Sequence, residues 1–338
     1  MPPSHQPERK NALLGVEDKA AVGIGQSLRG GLGGANNVPS SCLICGATLR
    51  TRCPSVLDSE TREEFSILAC PDCGLGYTSP QPRDLSPYYA AAYYGARHGF
   101  TANHCMQRRL RWVHSLLGSG WERKLLDVGC GDGGFLLAAQ QQGWRGAGTE
   151  RHGEVARNCG LQIFPNVRSA SAWGPYDCIT LWHSLEHVPD PRATLEACRT
   201  ALSPEGNLLV AVPDAEGLQA RAFGSRWFHL DVPRHLHHFT SRSLTKLLCA
   251  TGFSPVREWH QEFEYDLLGW SQSALNALRM PPNLFFRALT GHAARAQRLS
   301  LVFSWIYGVG FSALALPLVP FGSLLRRGGT LILAARPE

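Results

Sequence analysis

Residues 125–134 read Leu-Leu-Asp-Val-Gly-Cys-Gly-Asp-Gly-Gly, and this stretch constrains the fold more than any other. The stretch from Lys124 to Val128, apolar in its middle, has the length and character of a short buried strand. After the glycines the pattern turns helical over residues 135–142 and stops at Gly143. Strand, glycine-rich turn and helix together form the nucleotide-binding corner of a doubly wound α/β sheet. The glycines let the backbone approach a ligand and bring helix N–H groups close to it.

Gly129, Gly131 and Gly134 satisfy G-x-G-x-x-G, a weak sign of a dinucleotide when it stands alone. Asp127 argues for another ligand. A carboxylate at that strand end repels a pyrophosphate but attracts a ligand that carries an ammonium group and a positive sulfur. Glu150 ends the next strand, about 20 residues on, the usual place for an acid that takes a ribose diol. D-x-G-x-G-x-G followed by that acid resembles the class I S-adenosylmethionine (SAM) methyltransferases. The resemblance implies a mostly parallel seven-stranded Rossmann-like sheet and SAM as methyl donor, held by Asp127, Gly129, Gly131, Gly133 and Glu150.

The 338 residues suffice for one large α/β domain with additions. A formal charge of +6 is mild for this length and gives no reason to expect nucleic acid as a partner. Residues 1–40, rich in Gly, Pro, Ser and Asn, read as a disordered tail without an apolar leader. The expectation is therefore a cytoplasmic protein whose 11 cysteines are reduced.

Four of those cysteines form two echoing knuckles. Cys42-Leu-Ile-Cys45-Gly is answered, after 24 intervening residues, by Cys70-Pro-Asp-Cys73-Gly. This spacing predicts a tetrahedral zinc site within a small module, residues 41–80. Four protein ligands leave zinc no open position, so its role is structural. A linker and an amphipathic helix follow over residues 81–120. Tyr77, Tyr88, Tyr89, Tyr93 and Tyr94 gather around the linker, and Arg108, Arg109 and Arg111 read as a solvated helix face.

The core spans residues 121–265. The strand at residues 176–182 runs straight into Leu185-Glu-His-Val-Pro-Asp-Pro191. That phrase is similar to the E-H-V-x-D-P signature of the branch that includes ubiquinone-type O-methyltransferases and sugar C-methyltransferases. The four-cysteine module resembles the sugar C-methyltransferase arrangement. Ligands bind at this end of such sheets, so His183, Glu186 and His187 are candidates for catalysis. A histidine near neutral pKa or a desolvated glutamate suits the deprotonation of a methyl acceptor. The ubiquinone branch uses its matching Glu-His pair in a divalent-metal site. Here Trp182 and His183 stand in place of the accompanying acidic residues, which argues against a metal.

Residues 213–240 form an insertion ending in Trp227-Phe-His-Leu-Asp-Val-Pro-Arg-His-Leu-His-His-Phe239. It resembles a family run that precedes part of the acceptor pocket. His235 joins the catalytic candidates, and His229, Asp231, Arg234 and His238 are candidates for acceptor binding.

Residues 266–328 have no counterpart in the minimal fold, and the final strand lies within residues 329–338. No charged residue occurs from Leu299 to Leu325. Pro317 and Pro320 interrupt this stretch, and arginines flank both ends. A single crossing would strand the last β-strand across the membrane from its sheet. A re-entrant or interfacial hairpin over residues 299–316 and 319–325 is therefore expected. The alternative is a buried helix pair that covers the sheet or makes a homodimer. The expected reaction is methyl transfer to a small-molecule, sugar or lipid-linked acceptor. A zinc-ribbon RNA methyltransferase and a non-catalytic SAM-binding module are the rival readings.

Overall fold

A computed structural model describes residues 40–89, 101–291 and 298–338. The tail expected over residues 1–40, except Ser40, lies outside the described residues, as do Tyr93, Tyr94 and Arg295.

The elements in chain order begin with the strands β1 (Arg50–Leu57), β2 (Glu64–Ala69) and β3 (Gly76–Ser79). Helix α1 (Ala102–Leu117) leads into β4 (Lys124–Val128), α2 (Gly134–Gln141), β5 (Arg145–Thr149), α3 (Glu154–Asn158) and β6 (Gln162–Phe164). Next come α4 (Val167–Ala170), β7 (Tyr176–Trp182), α5 (Pro191–Ala201), β8 (Leu202–Pro213) and α6 (Leu218–Phe223). Strand β9 (His237–His238), α7 (Ser241–Ala250) and β10 (Phe253–Trp259) follow. The insertion comprises α8 (Phe263–Ala277), α9 (Leu284–Leu289), α10 (Arg298–Ala315) and α11 (Leu318–Leu324), before β11 (Thr330–Pro337).

The seven-stranded sheet has the order β10-β11-β8-β7-β4-β5-β6. Pairing is parallel from β8 across to β6, and β11 runs antiparallel to both neighbours. Helices on both faces bury the central strands, which is why those strands lack a polar side. Alternation of side chains assigns Leu208, Val210 and Val212 to one core, and Leu209 and Ala211 to the other. Each fully buried leucine here contributes roughly 1.5–3 kcal/mol relative to exposure. Local signals fix the helix ends. Asp190 caps α5 by accepting from Ala193 N at 2.9 Å, with Pro191 in the first turn. Thr240 and Ser243 form a reciprocal capping box on α7.

A second sheet, β1-β2-β3-β9, joins the cysteine module to the insertion that follows β8. Gly76 pairs with His238 and Tyr77 with His237. Cys42, Cys70, Cys73 and Tyr77 belong to the same apolar core as Leu126, Ile179 and Leu208. The module is thus part of the body of the protein rather than a tethered bead.

The insertion packs through its small residues. Ser304, Gly308 and Ala315 are buried on α10, and Ser312 Oγ lies 2.7 Å from Ser271 Oγ of α8. Large apolar side chains face outward: Leu299 is 78% exposed, Ile306 61%, Leu314 71% and Leu324 82%. Among the described residues no single helix is long and apolar enough to cross a membrane. The pair Leu299–Ala315 and Leu318–Leu324, bent by 40°, passes that test together.

Candidate active site

At the C-terminal ends of β4 and β5, Gly129, Gly131 and Gly133 all have positive φ, at 75°, 57° and 84°. Two of them are also close-packed. A Cβ on Gly129 would lie 2.7 Å from Ser184 Cβ, and one on Gly133 would lie 2.3 Å from Leu161 Cδ1. A Cβ on Gly131 would meet nothing within 4 Å, so the loop there borders open space. Asp127 is buried and accepts from Thr180 Oγ1 at 2.7 Å. Burial pushes its carboxyl up to about 7, against the lowering effects of Thr180 and Arg109. Glu150 accepts from Gly131 N at 3.0 Å. Two carboxylates flanking a glycine loop suit a ligand with ammonium and sulfonium charges, and SAM is such a ligand.

Arg109 is not on the solvated face that the sequence suggested. It is 4% exposed, and its Nε donates to Glu262 Oε1 at 2.8 Å. Burial opposes its charge, but Glu262 more than compensates and keeps the guanidinium ionised. Its Nη2 is buried and has no hydrogen-bond partner among the described residues. Neither Arg109 nor Glu262 was a sequence candidate. Glu262 lies just before α8, and its other oxygen sits 2.7 Å from His183 Nε2.

The loop after β7 carries the next group. His183 has φ 50°, stacks on Tyr265 with ring centroids 4.1 Å apart, and is buried. Burial would lower its pKa, but Glu186 and Glu262 reverse the shift and raise it. Glu186 is 1% exposed, and neither carboxylate oxygen has a hydrogen-bond partner among the described residues. The nearest imidazole nitrogens are His183 Nδ1 at 3.6 Å and His235 Nε2 at 4.0 Å from Oε1. Burial alone would raise the Glu186 pKa, yet the surrounding histidines hold it at about 2.

Two histidines present a defined nitrogen. His187 Nδ1 lies 2.9 Å from the Arg234 carbonyl, and His235 Nδ1 lies 2.9 Å from the His229 carbonyl. A carbonyl only accepts, so each neutral ring carries its proton on Nδ1 and its lone pair on Nε2. The rings meet edge to face with centroids 4.6 Å apart. Glu186, His187 and His235 bring one donor atom each within 4.8 Å of one another, close enough to share a metal ion.

The other candidates occupy supporting positions. Arg234 is buried and donates to Asp58 Oδ1, Asp231 Oδ1 and the Tyr88 carbonyl. His229 Nε2 lies 3.1 Å from the Tyr265 carbonyl, and burial lowers its pKa to about 3. His238 Nε2 lies 3.0 Å from Thr78 Oγ1 within the small sheet, and burial drives its pKa well below the usual range.

Cys42 Sγ lies 3.5 Å from Cys73 Sγ, and Cys45 Sγ lies 3.3 Å from Cys70 Sγ. All four sulfurs fall within 4.8 Å of one another. Zinc–sulfur bonds of about 2.3 Å in a tetrahedron require sulfurs about 3.8 Å apart, so the set fits zinc. Gly46 N and Gly74 N close the two knuckles on the Cys42 and Cys70 carbonyls, with φ 71° and 80°. The four cysteines form a structural zinc site.

A family model described as a methyltransferase domain matches residues 102–258, from α1 to β10. The core of the chain has the class I SAM-dependent methyltransferase fold and matches this methyltransferase-domain family. Curated relatives of this domain include ubiquinone biosynthesis O-methyltransferases. The one from Bordetella avium is 36% identical over 110 residues, covering 29% of this chain and 46% of the relative. The one from Erwinia tasmaniensis is 28% identical over 167 residues, covering 45% and 69%. The chain thus spans about half to two thirds of the length of these relatives. A solved SAM-dependent methyltransferase from Archaeoglobus fulgidus aligns with TM-score 0.43 and 16% identity, over 70% of this chain and 94% of that one. The ends of β4 and β5 carry an acidic pair suited to SAM.

Proposed function

We propose that this chain transfers the methyl group of SAM to a small-molecule acceptor presented to the Glu186 cluster. The observation that carries this reading is the buried carboxylate of Glu186, whose two oxygens have no hydrogen-bond partner among the described residues, with His187 and His235 grouped beside it. Such a carboxylate needs a proton donor. An acceptor hydroxyl, amine or activated carbon acid brings one. As the acceptor atom takes the methyl group, its proton passes to His187 Nε2. Glu186 stabilises the imidazolium that results, and Arg234 O keeps the ring in the required tautomer. His183, held between Glu186 and Glu262, is already favoured in its charged form, so it orients Glu186 rather than taking the proton. Asp127 and the glycine loop hold the methionine portion of SAM, and Glu150 the ribose. Arg109 Nη2 supplies a buried cation for the methionine carboxylate.

The acceptor proposed is lipid-linked, met at the cytoplasmic face of a membrane. The outward apolar face of α10–α11 supports this, together with Arg326 and Arg327 at its edge. Small residues inward with large apolar residues outward is the packing of helices in lipid. A second reading, a divalent ion shared by Glu186, His187 and His235, has their spacing in its favour. Single-turnover kinetics separates the two. His187→Gln is expected to slow methyl transfer about 100-fold or more with SAM affinity unchanged. A transfer rate that collapses on chelation and recovers with a divalent ion would instead favour the metal.

A further inference from the structure

A cleft of about 590 Å³ lies outside the Glu186 cluster, between β1, the loop that leads to β9, and the turn joining α8 to α9. Its apolar wall includes Val56, Leu57, Phe228, Leu230 and Met280. Three arginines, Arg62, Arg226 and Arg279, are exposed along it. Its carboxylate, Asp231, is already bonded to the buried Arg234. The lining is therefore apolar with a cationic rim: among the described residues the three arginines make no ion pair, and Arg226 donates to the Ala277 carbonyl.

Backbone conformation marks the same place. Among the described residues seven non-glycine residues have positive φ, and four of them line this cleft: Arg62 at 64°, Asp231 at 37°, Arg279 at 58° and Asn283 at 55°. Left-handed backbone at such residues is costly and gathers where a site needs it. Here it holds two of the three rim arginines. The cleft also reaches both functional regions. Asp231 Oδ2 stands 3.9 Å from His235 Nε2 of the Glu186 cluster. Past Asn283 the chain enters α9, whose Phe285 packs edge to face on Trp305 of the apolar hairpin at 5.6 Å.

We infer that this cleft binds the phosphate or pyrophosphate ester of the acceptor, with the arginine rim on the anion and the apolar wall on the adjoining carrier. Guanidinium groups pair with phosphate oxygens through two parallel hydrogen bonds, and three of them match a pyrophosphate better than a neutral head group. The inference rests on the methyl-transfer reading for the identity of the bound molecule as acceptor. Lipid and nucleotide carriers share the anion, so the test separates them.

The test measures equilibrium binding of inorganic pyrophosphate, farnesyl diphosphate and uridine diphosphate to the full chain and to the double variant Arg62→Ala/Arg279→Ala. Both arginines are exposed, so the variant is expected to fold, and its SAM affinity, measured on the same samples, should equal that of the parent. Binding of the organic diphosphates should weaken by about 10-fold per arginine removed, and by more at low salt than at high salt. Arg279→Lys should recover part of the loss. Preference for farnesyl diphosphate supports the site with a lipid carrier, and preference for uridine diphosphate supports it with a nucleotide carrier. Equal binding by parent and double variant, or no binding of any probe to the parent, overturns the inference. Failure of SAM to bind the parent would instead defeat the methyltransferase reading and leave the anion result standing.

Discussion

The four-cysteine module and the α10–α11 hairpin are both additions to one sheet, and they are fastened to it by opposite means. The module is tied by polar bonds of long sequence range. Thr78 Oγ1 donates to the His235 carbonyl at 2.6 Å, Gln81 Nε2 to the Leu236 carbonyl at 3.0 Å, and Thr240 Oγ1 to the Cys73 carbonyl at 3.2 Å. Arg234 reaches Asp58 across the same boundary. These bonds hold the backbone from which His187 and His235 take their tautomers. The hairpin instead turns small residues inward and leaves its bulky apolar residues outside. One region spends its specificity on shaping a site; the other keeps an apolar surface exposed.

The largest expected difference between the two lies in stability. Cys42→Ser with Cys73→Ser should abolish zinc binding and lower the melting temperature by about 10 °C or more, because a structural zinc contributes folding free energy outright. Zinc analysis and calorimetry on one sample check this. By contrast, Leu299→Ser with Leu324→Ser should change stability by only about 0.5 kcal/mol or less, since both side chains already face solvent. The same variant should co-sediment much less with vesicles containing anionic lipid. A collapse in stability there would mean that the hairpin packs against a partner protein surface instead.

Smaller effects sharpen the comparison at the site. Asp127→Asn should weaken SAM binding by about 100-fold, the loss expected when one partner of a buried charge pair is removed. Binding by the unaltered protein should also depend on pH. Burial raises the Asp127 pKa to about 7, so in the free protein this group favours folding when protonated, below its ordinary value. That contribution is lost as pH rises through about 7. SAM requires the ionised form, so its affinity should fall about tenfold per pH unit below that value. Titration of the SAM dissociation constant between pH 5 and about 8 checks the sign. A further effect is expected at Glu262. Glu262→Gln retains its shape but removes the charge between the buried Arg109 and His183, and should cost about 3 kcal/mol of stability and shift the acid limb of the rate profile.

What could be read from the sequence differs between the regions for the same physical reason. The glycine corner and the cysteine knuckles are local: their residues lie close along the chain, and spacing alone fixes what they can hold. The sheet followed from alternating strand and helix patterns, and the seven strands form it. Arg109 and Glu262 were missed because 153 positions separate them, and only the fold brings them into contact. On its own helix Arg109 looks like one of several surface arginines. Likewise, nothing in Gly76-Tyr77 announces pairing with His237 and His238. The apolar character of the hairpin was plain, but which of its faces turns outward depends on α8, through the contact of Ser271 with Ser312.

Methyl-labelled SAM incubated with the chain and a whole-cell extract, followed by separation of organic from aqueous products, tests the central claim most directly. The account predicts label in the organic phase, reduced about 100-fold by Glu186→Gln or His187→Gln under identical SAM saturation. Label confined to RNA, or transfer untouched by both substitutions, would contradict it.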